Sequence, residues 1–229
     1  MKYFFFIFRV AKDAKIVGAT ITGASIYTKL IQQLAPSIVI VEEAAEILES
    51  GLIAAIGNSV NHLIMIGDHK QLRPSVNVYN LTKEFKFDIS MMERLISSHF
   101  PFKTLTTQSR MRPEMSFLLR DIYPSLKDNL SVVEKHKPPS FMDKSLFFWS
   151  HDHAENLNPT IRSKMNEEEA EMAVVLARFM ILNGVKPEEI TILVGYLSQK
   201  KVVRNKLKKH VNLQEQITCQ TIDMYQVSF

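Results

Sequence analysis

Two adjacent carboxylates, Glu42 and Glu43, follow directly on the apolar run Ile38-Val-Ile-Val41. That run is β-branched throughout and lacks polar alternation, so a strand buried on both faces of a parallel sheet is expected. The acids then fall at the carboxyl end of the strand, where open α/β sheets bind ligands. Two acids at a strand-to-helix turn can hold a magnesium ion, directly or through water, and can orient an attacking water. They would equally complement the positive end of a helix beginning near Ala44. The segments further along the chain decide between these readings.

The elements that must position such a site alternate along the sequence. A strand is expected over 16–20 and a helix over 24–34, with Tyr27, Leu30, Ile31 and Leu34 on one face and Pro36 as its stop. A helix over 43–56 and a strand over 63–66 follow, the latter running into Gly67-Asp-His-Lys-Gln-Leu-Arg-Pro74. Residues 77–86 carry no clean period. Asp88 suits the N-cap of a helix through Ile96. After a boundary near Thr104 comes Thr107-Gln-Ser-Arg-Met-Arg-Pro113, with Pro113 opening a helix that extends to Ile122. Residues 125–143 read as a connecting loop and 146–149 as a strand. Asn166 caps a helix stopped by Gly184. A strand over 190–195, a basic helix over 199–210 and a strand over 217–222 complete the order. Such alternation predicts α/β architecture with parallel sheets flanked by helices.

The chain has 229 residues, 46% hydrophobic and 23% charged, which is an ordinary soluble composition with room for two lobes of about 100 residues. A net charge of +4 permits a nucleic-acid partner without demanding one. The single cysteine excludes a disulfide framework within the chain and fits a reducing compartment. No Cys/His cluster has metal-ligand spacing, and His151 and His153 read as a solvated loop pair. The apolar run in residues 1–9 is too short to span a bilayer and lacks a small-residue cleavage site. It reads either as a strand or as sequence outside the domain.

Four segments thus stand past strand ends in order: Glu42-Glu43, Gly67 to Pro74, Gln108 to Pro113, and Thr221-Ile-Asp-Met-Tyr-Gln226. Together they resemble the core of a superfamily 1 RNA helicase of the nonsense-mediated-decay type, within that group most like the NFX-type zinc-finger helicases. Val41-Glu-Glu-Ala-Ala-Glu46, Gly67-Asp-His-Lys-Gln-Leu-Arg-Pro74 and Asn77-Val-Tyr79 carry the likeness to that branch, which extends over residues 14–226.

The resemblance implies two RecA-like lobes, with ATP and Mg2+ between them and single-stranded RNA as the partner. Single-stranded DNA stands as the alternative strand, since backbone contacts do not read the base. It implies that residues 14–103 belong to the first lobe, residues 104–229 to the second, and leaves 1–13 unassigned. Glu42 stands at the magnesium-associated acid, usually aspartate, and Glu43 at the residue that polarises the attacking water. Gln71 stands at the γ-phosphate sensor and Arg110 at the arginine that reaches the γ-phosphate from the second lobe. Each type suits its role: phosphoryl transfer needs charge neutralisation and positioning, and a guanidinium fork matches phosphate oxygens. Asp223 and Gln226 begin a motif that bridges nucleotide and nucleic acid. Thr20, Thr22 and Gly23 resemble a threonine-rich segment that touches the nucleic-acid backbone, a plain strand-end turn being the alternative. The resemblance also implies nucleic-acid contacts from Tyr196 and Gln199, which stand in a Pro-Tyr-x-x-Gln motif whose proline is Gly195 here. The basic residues of 199–210 read as a solvated face.

The sequence departs from the family in three ways. No Gly-x-x-x-x-Gly-Lys-Ser/Thr phosphate loop occurs, Val227 stands where the family has glycine, and Glu42 replaces aspartate. The first lobe is therefore expected to be truncated at its N-terminus and the second at its C-terminus, and the chain alone to be inactive. The parent activity expected is ATP-dependent movement on RNA, coupled to hydrolysis between the lobes. The alternative is a non-catalytic nucleic-acid-binding or scaffold module descended from a helicase. Zinc-finger domains are expected elsewhere in a longer protein, no membrane association, and a cytoplasmic location with the nucleus as alternative.

Overall fold

Residues 2–131, 139–209 and 216–226 are described by a computed structural model, in which the chain divides into two units, Met1–Thr106 and Thr107–Phe229. Each is α/β, built from short parallel strand pairs and covering helices.

In the first unit, α1 (Lys2–Ala11) is a helix, not the strand considered for the N-terminus. Residues 16–20 are not a strand either, and Ile16 is almost fully exposed. The helix expected over 24–34 is broken at Tyr27 into α2 (Ile21–Ile26) and α3 (Thr28–Leu34), which ends on Ala35 in the left-handed region. Then follow β1 (Ile38–Val41), a 3-10 turn (Ala44–Glu46), α4 (Glu49–Ala55) and β2 (His62–Met65). Strands β1 and β2 are parallel, with Ile38 opposite His62 and Val41 opposite Met65. Their inward residues Val39, Val41, Leu63 and Met65 pack with Ile21, Leu52, Ile56, Met91 and Met92. Burial is one-sided: Ile38, Ile40 and Ile64 stay 46–64% exposed. The expectation of a strand covered on both faces is therefore corrected, because among the described residues helices pack on one face only.

The polar stretch after residue 77 holds a helix, α5 (Tyr79–Phe85), that the sequence did not reveal. For α6 (Met91–Ser97) the N-cap is Ser90 rather than Asp88, its Oγ accepting from the Glu93 N–H at 3.1 Å. Asp88 instead pairs with Arg73 at 3.3 Å.

The second unit begins with a parallel pair, β3 (Thr107–Gln108) and β4 (Lys127–Asp128), flanking α7 (Pro113–Phe117). The expected strand over 146–149 is absent. An antiparallel pair, β5 (Asn156–Asn158) with β6 (Ser163–Met165), precedes α8 (Glu167–Leu182), β7 (Thr191–Val194), α9 (Leu197–Lys208), β8 (Thr218–Thr221) and α10 (Ile222–Gln226). Strands β7 and β8 are parallel, so β7-α9-β8 is a crossover unit. Ala170, Val174 and Ala177 of α8 meet Val203 and Leu207 of α9 over Val194 and Cys219. Burial pushes the Cys219 thiol up, against the pull of Lys200 and Arg204, so it packs as a hydrophobe rather than a reactive thiolate.

Candidate functional site

At the end of β1 the chain turns at once. Glu43 adopts φ of 50°, a left-handed conformation that is uncommon for a residue with a side chain. A single 3-10 turn follows, and α4 starts only at Glu49, so the continuous helix expected over 43–56 is corrected. This matters for the chemistry. One 3-10 turn offers little aligned dipole, so complementing a helix end explains the two acids poorly. Both Glu42 and Glu43 are exposed, and neither carboxylate has an ion pair among the described residues.

The β1 and β2 ends are joined directly. Ile66 N–H donates to the Val41 carbonyl at 2.8 Å, and Ala44 N–H donates to the Ile66 carbonyl at 2.9 Å. Gly67 seats its backbone against the Glu43–Ala45 turn: a Cβ there would lie 2.9 Å from the Ala44 nitrogen and 3.1 Å from that of Ala45. The carboxylates and the Gly67-to-Pro74 segment are thus held side by side. Within that segment Asp68 Oδ1 accepts from the Lys70 N–H at 3.0 Å and Oδ2 from Gln71 Nε2 at 2.8 Å. Gln71 is exposed and leans on its own turn. Arg73 is anchored on Glu93 at 2.5 Å as well as on Asp88, which fixes the segment's far end.

Thr20 caps α2, its Oγ1 accepting from the Gly23 N–H at 3.1 Å. A hydroxyl that accepts in a cap still has a hydrogen to donate outward. Thr22 is exposed on the same first turn and Gly23 is half-buried. The alternative of a strand-end turn is corrected: the segment is a helix start.

In the second unit Arg110 is exposed in the turn between β3 and α7 and has no ion pair among the described residues. Asp223 is exposed in the first turn of α10. Gln226 ends that helix, and its side chain lies outside the described residues. Tyr196 precedes α9, 47% exposed, with Lys164 Nζ 5.9 Å from its ring centroid. Gln199 points inward. Its Oε1 accepts from the Asn166 N–H at 2.7 Å and its Nε2 donates to the Asn166 carbonyl at 3.0 Å. Both groups of the amide are engaged inside the unit, and Gln199 is 7% exposed. A cavity of about 320 Å³ adjoins it, lined by Asn166, Glu155, Glu169 and Tyr196 among others. Glu155 is ion-paired with Lys164, and the Tyr196 ring beside them offers a strand a stacking face.

Several features escaped the sequence reading. His151 is not a free solvated side chain: its ring stacks on Trp149 at 4.4 Å and its Nε2 lies 3.3 Å from Glu169. Gln108 and Asp128 are joined at 2.7 Å behind Arg110. Lys206 of the basic helix pairs with Glu167 and Glu171 of α8. No group of three or more His, Cys, Asp or Glu among the described residues is arranged to hold a metal. No helix of the described residues is long and apolar enough to cross a membrane.

Each unit is α/β, with acids and a Gly-Asp turn after parallel strands of the first and an exposed arginine after a parallel strand of the second. Two family profiles, each described as an AAA domain, match residues 6–77 and 87–227. The mouse NFX1-type zinc finger-containing protein 1 is 44% identical over 191 residues, which is 83% of this chain and 10% of that protein. A fission-yeast helicase required for RNAi-mediated heterochromatin assembly is 36% identical over 219 residues, 94% of this chain and 22% of that protein. The Caenorhabditis elegans regulator of nonsense transcripts 1 is 26% identical over 204 residues, 82% of this chain and 18% of that protein. The chain belongs to the AAA-domain helicases of superfamily 1, the nonsense-mediated-decay type that includes the NFX-type zinc-finger proteins. It spans between a tenth and about a fifth of the length of these three relatives.

Proposed function

We propose that the chain is the part of an ATP-dependent RNA helicase or translocase that carries the water-activating acids, the phosphate sensor and the phosphate-directed arginine. The observation that carries this reading is the exposed, unpaired Glu42-Glu43 step locked beside the Gly67-to-Gln71 turn at the carboxyl end of β1. Glu42 would hold the magnesium ion, which when bound neutralises phosphate charge. Glu43 orients the attacking water and accepts its proton. Gln71, with a donor and an acceptor, senses the γ-phosphate and hands geometry to the same water. The Arg110 guanidinium stabilises charge that builds on the γ-phosphate. Asp223 and Gln226 contact nucleotide from the second unit. Thr20, Thr22 and Gly23 take the RNA backbone through hydroxyl and main-chain groups, and Tyr196 stacks a base. The expected compartment is the cytoplasm, with zinc fingers elsewhere in the longer protein.

The test uses the longest natural protein carrying this segment and measures RNA-stimulated ATP hydrolysis. Arg110→Ala should lower turnover by on the order of 10³-fold while nucleotide affinity changes far less. Glu43→Gln should bind ATP and fail to hydrolyse it. Near-wild-type turnover in both variants overturns the assigned roles, and a wild-type protein without turnover favours the non-catalytic binding module. Competition between matched RNA and DNA single strands separates the two nucleic acids.

A further inference from the structure

The turn that presents Arg110 is built around one buried-side amide. Gln108 closes β3, and the β3–β4 register places it opposite Asp128. Its Oε1 accepts two main-chain N–H groups, Arg110 at 2.8 Å and Met111 at 2.7 Å. Its Nε2 donates to the Met111 carbonyl and to Asp128 Oδ1, both at 2.7 Å. A carboxamide has two donor hydrogens and two acceptor lone pairs, so all four are used. Asp128 is held in turn: its side chain is 11% exposed and its Oδ2 accepts from Arg120 at 3.3 Å. A hydrogen bond from Ser116, then those from Gln108 and Arg120, hold its carboxyl below the usual aspartate range. Asn129 finishes the frame, its N–H donating to the Gln108 carbonyl at 2.9 Å and its Nδ2 to Ser109 Oγ at 3.1 Å. Every residue from Gln108 to Met111 is therefore tied through its backbone or a short side chain, while the Arg110 guanidinium is left outside the network.

We infer that Gln108 and Asp128 are positioning residues for Arg110, fixing the backbone from which the guanidinium is presented. The inference rests on the reading of Arg110 as the phosphate-directed arginine. An arginine carries several rotatable bonds, and a mobile backbone beneath it would add to the ordering needed at each turnover. Fixing the turn beforehand leaves only the side chain to order. Neither residue touches substrate in this account, so both act through Arg110.

The frame can be read without nucleotide. In the 229-residue chain, water-exchange NMR of the Arg110 and Met111 amides should show exchange faster by about 10-fold in Gln108→Ala, with α8 amides unchanged. Gln108→Glu keeps the acceptor but sets two carboxylates against each other, and should also lose protection. Adding Asp128→Asn to Gln108→Glu removes the carboxylate repulsion and should recover part of it, the Met111 carbonyl staying without its donor. Should Gln108→Ala unfold the unit, the milder Asp128→Asn variant carries the same measurement. Unaltered exchange at Arg110 and Met111 in a folded variant overturns the frame. In the longer natural protein, Gln108→Ala should lower kcat by about 10-fold and leave KM for ATP within about two-fold, with Arg110→Ala as benchmark. If Arg110→Ala lowers turnover and Gln108→Ala, with its amides deprotected, does not, the positioning role is wrong. If Arg110→Ala itself leaves turnover intact, the phosphate reading fails while the exchange result stands on its own.

Discussion

Replacing Gln199 by alanine tests whether this residue is a structural clamp or a nucleic-acid contact. The side chain satisfies the main-chain N–H and C=O of Asn166 at 2.7 and 3.0 Å. Asn166 is 4% exposed and caps α8, its Oδ1 accepting from the Glu168 and Glu169 N–H groups at 3.0 and 3.1 Å. Truncation leaves the buried Asn166 N–H without a partner, at a cost of about 1–3 kcal/mol, while the Asn166 carbonyl keeps the Ala170 N–H at 3.2 Å. The adjoining cavity of about 320 Å³ admits water to it, which favours the lower part of that range, about 1–2 kcal/mol. With a urea slope of about 1–3 kcal/mol/M the midpoint should fall by on the order of 1 M. Trp149, the one tryptophan, reports this unit: it stacks on His151, and Asn166 Nδ2 donates to the His153 carbonyl at 2.9 Å. Its emission on urea titration is the assay, with an exposed Lys201→Gln variant as the neutral control. A midpoint shift under about 0.3 M, together with a large loss of single-stranded RNA affinity, would refute the clamp and return Gln199 to the nucleic-acid surface.

Two further outcomes follow from the first unit. Gly67→Ala should destabilise that unit by about 1–3 kcal/mol in thermal unfolding, because its Cβ meets main-chain nitrogens of the Glu43–Ala45 turn that cannot swing away; an unchanged Tm would mean that the two turns are not held together as described. Glu49 receives Arg94 Nε and Nη2 at 2.9 and 2.5 Å, and that hydrogen bond, opposed by partial burial, holds its carboxyl below the usual glutamate range. Because the folded-state value is the lower one, the pair's contribution is full above the ordinary glutamate range and is lost as pH falls through and below it. Urea midpoints from about pH 6 to about pH 3 should fall less steeply in Glu49→Gln than in wild type, and parallel profiles would remove Glu49 from the acid response.

The elements legible in the sequence were those with a long period or a clear cap. Asn166, the acidic turn after it and the inward Val174 and Ala177 specify α8 locally, and the observed helix follows that pattern. Strand β7 was found by its apolar run, and it too is buried on one side: Leu193 is 47% exposed beside a buried Val194. Apolar runs signal strands whether one face or both are covered, since hydrophobicity alone does not say how many layers will pack on them. Helix α5 was missed because Tyr79–Phe85 buries none of its residues, so no apolar stripe marks it. The helix expected to run from Glu43 was cut short by tertiary closure. Glu43 turns left-handed at φ of 50°, and the Ala44 N–H, which a helix start would leave unpaired, is taken by the Ile66 carbonyl across the strand pair.

The site divides along the same line. Residue type and position after a strand marked Glu42, Glu43, Gln71 and Arg110, and the structure leaves both acids and the guanidinium exposed. What the sequence hid were the side chains that set backbone geometry around them. Asp128 lies 20 residues beyond Gln108 within a stretch that reads as lysine- and proline-rich loop, and only the β3–β4 register brings the two together. Gln199 carried the opposite error. A glutamine at a motif position suggests a ligand contact, yet a 33-residue separation from Asn166 concealed that both ends of its amide are occupied. In each case the deciding fact is which polar atoms are already satisfied, and that is a property of pairing across the fold. An exposed side chain with unspent donors or acceptors remains a candidate for chemistry, as Arg110 does. A buried one whose amide is spent acts on the backbone it grips, and through that backbone on whatever residue the turn presents.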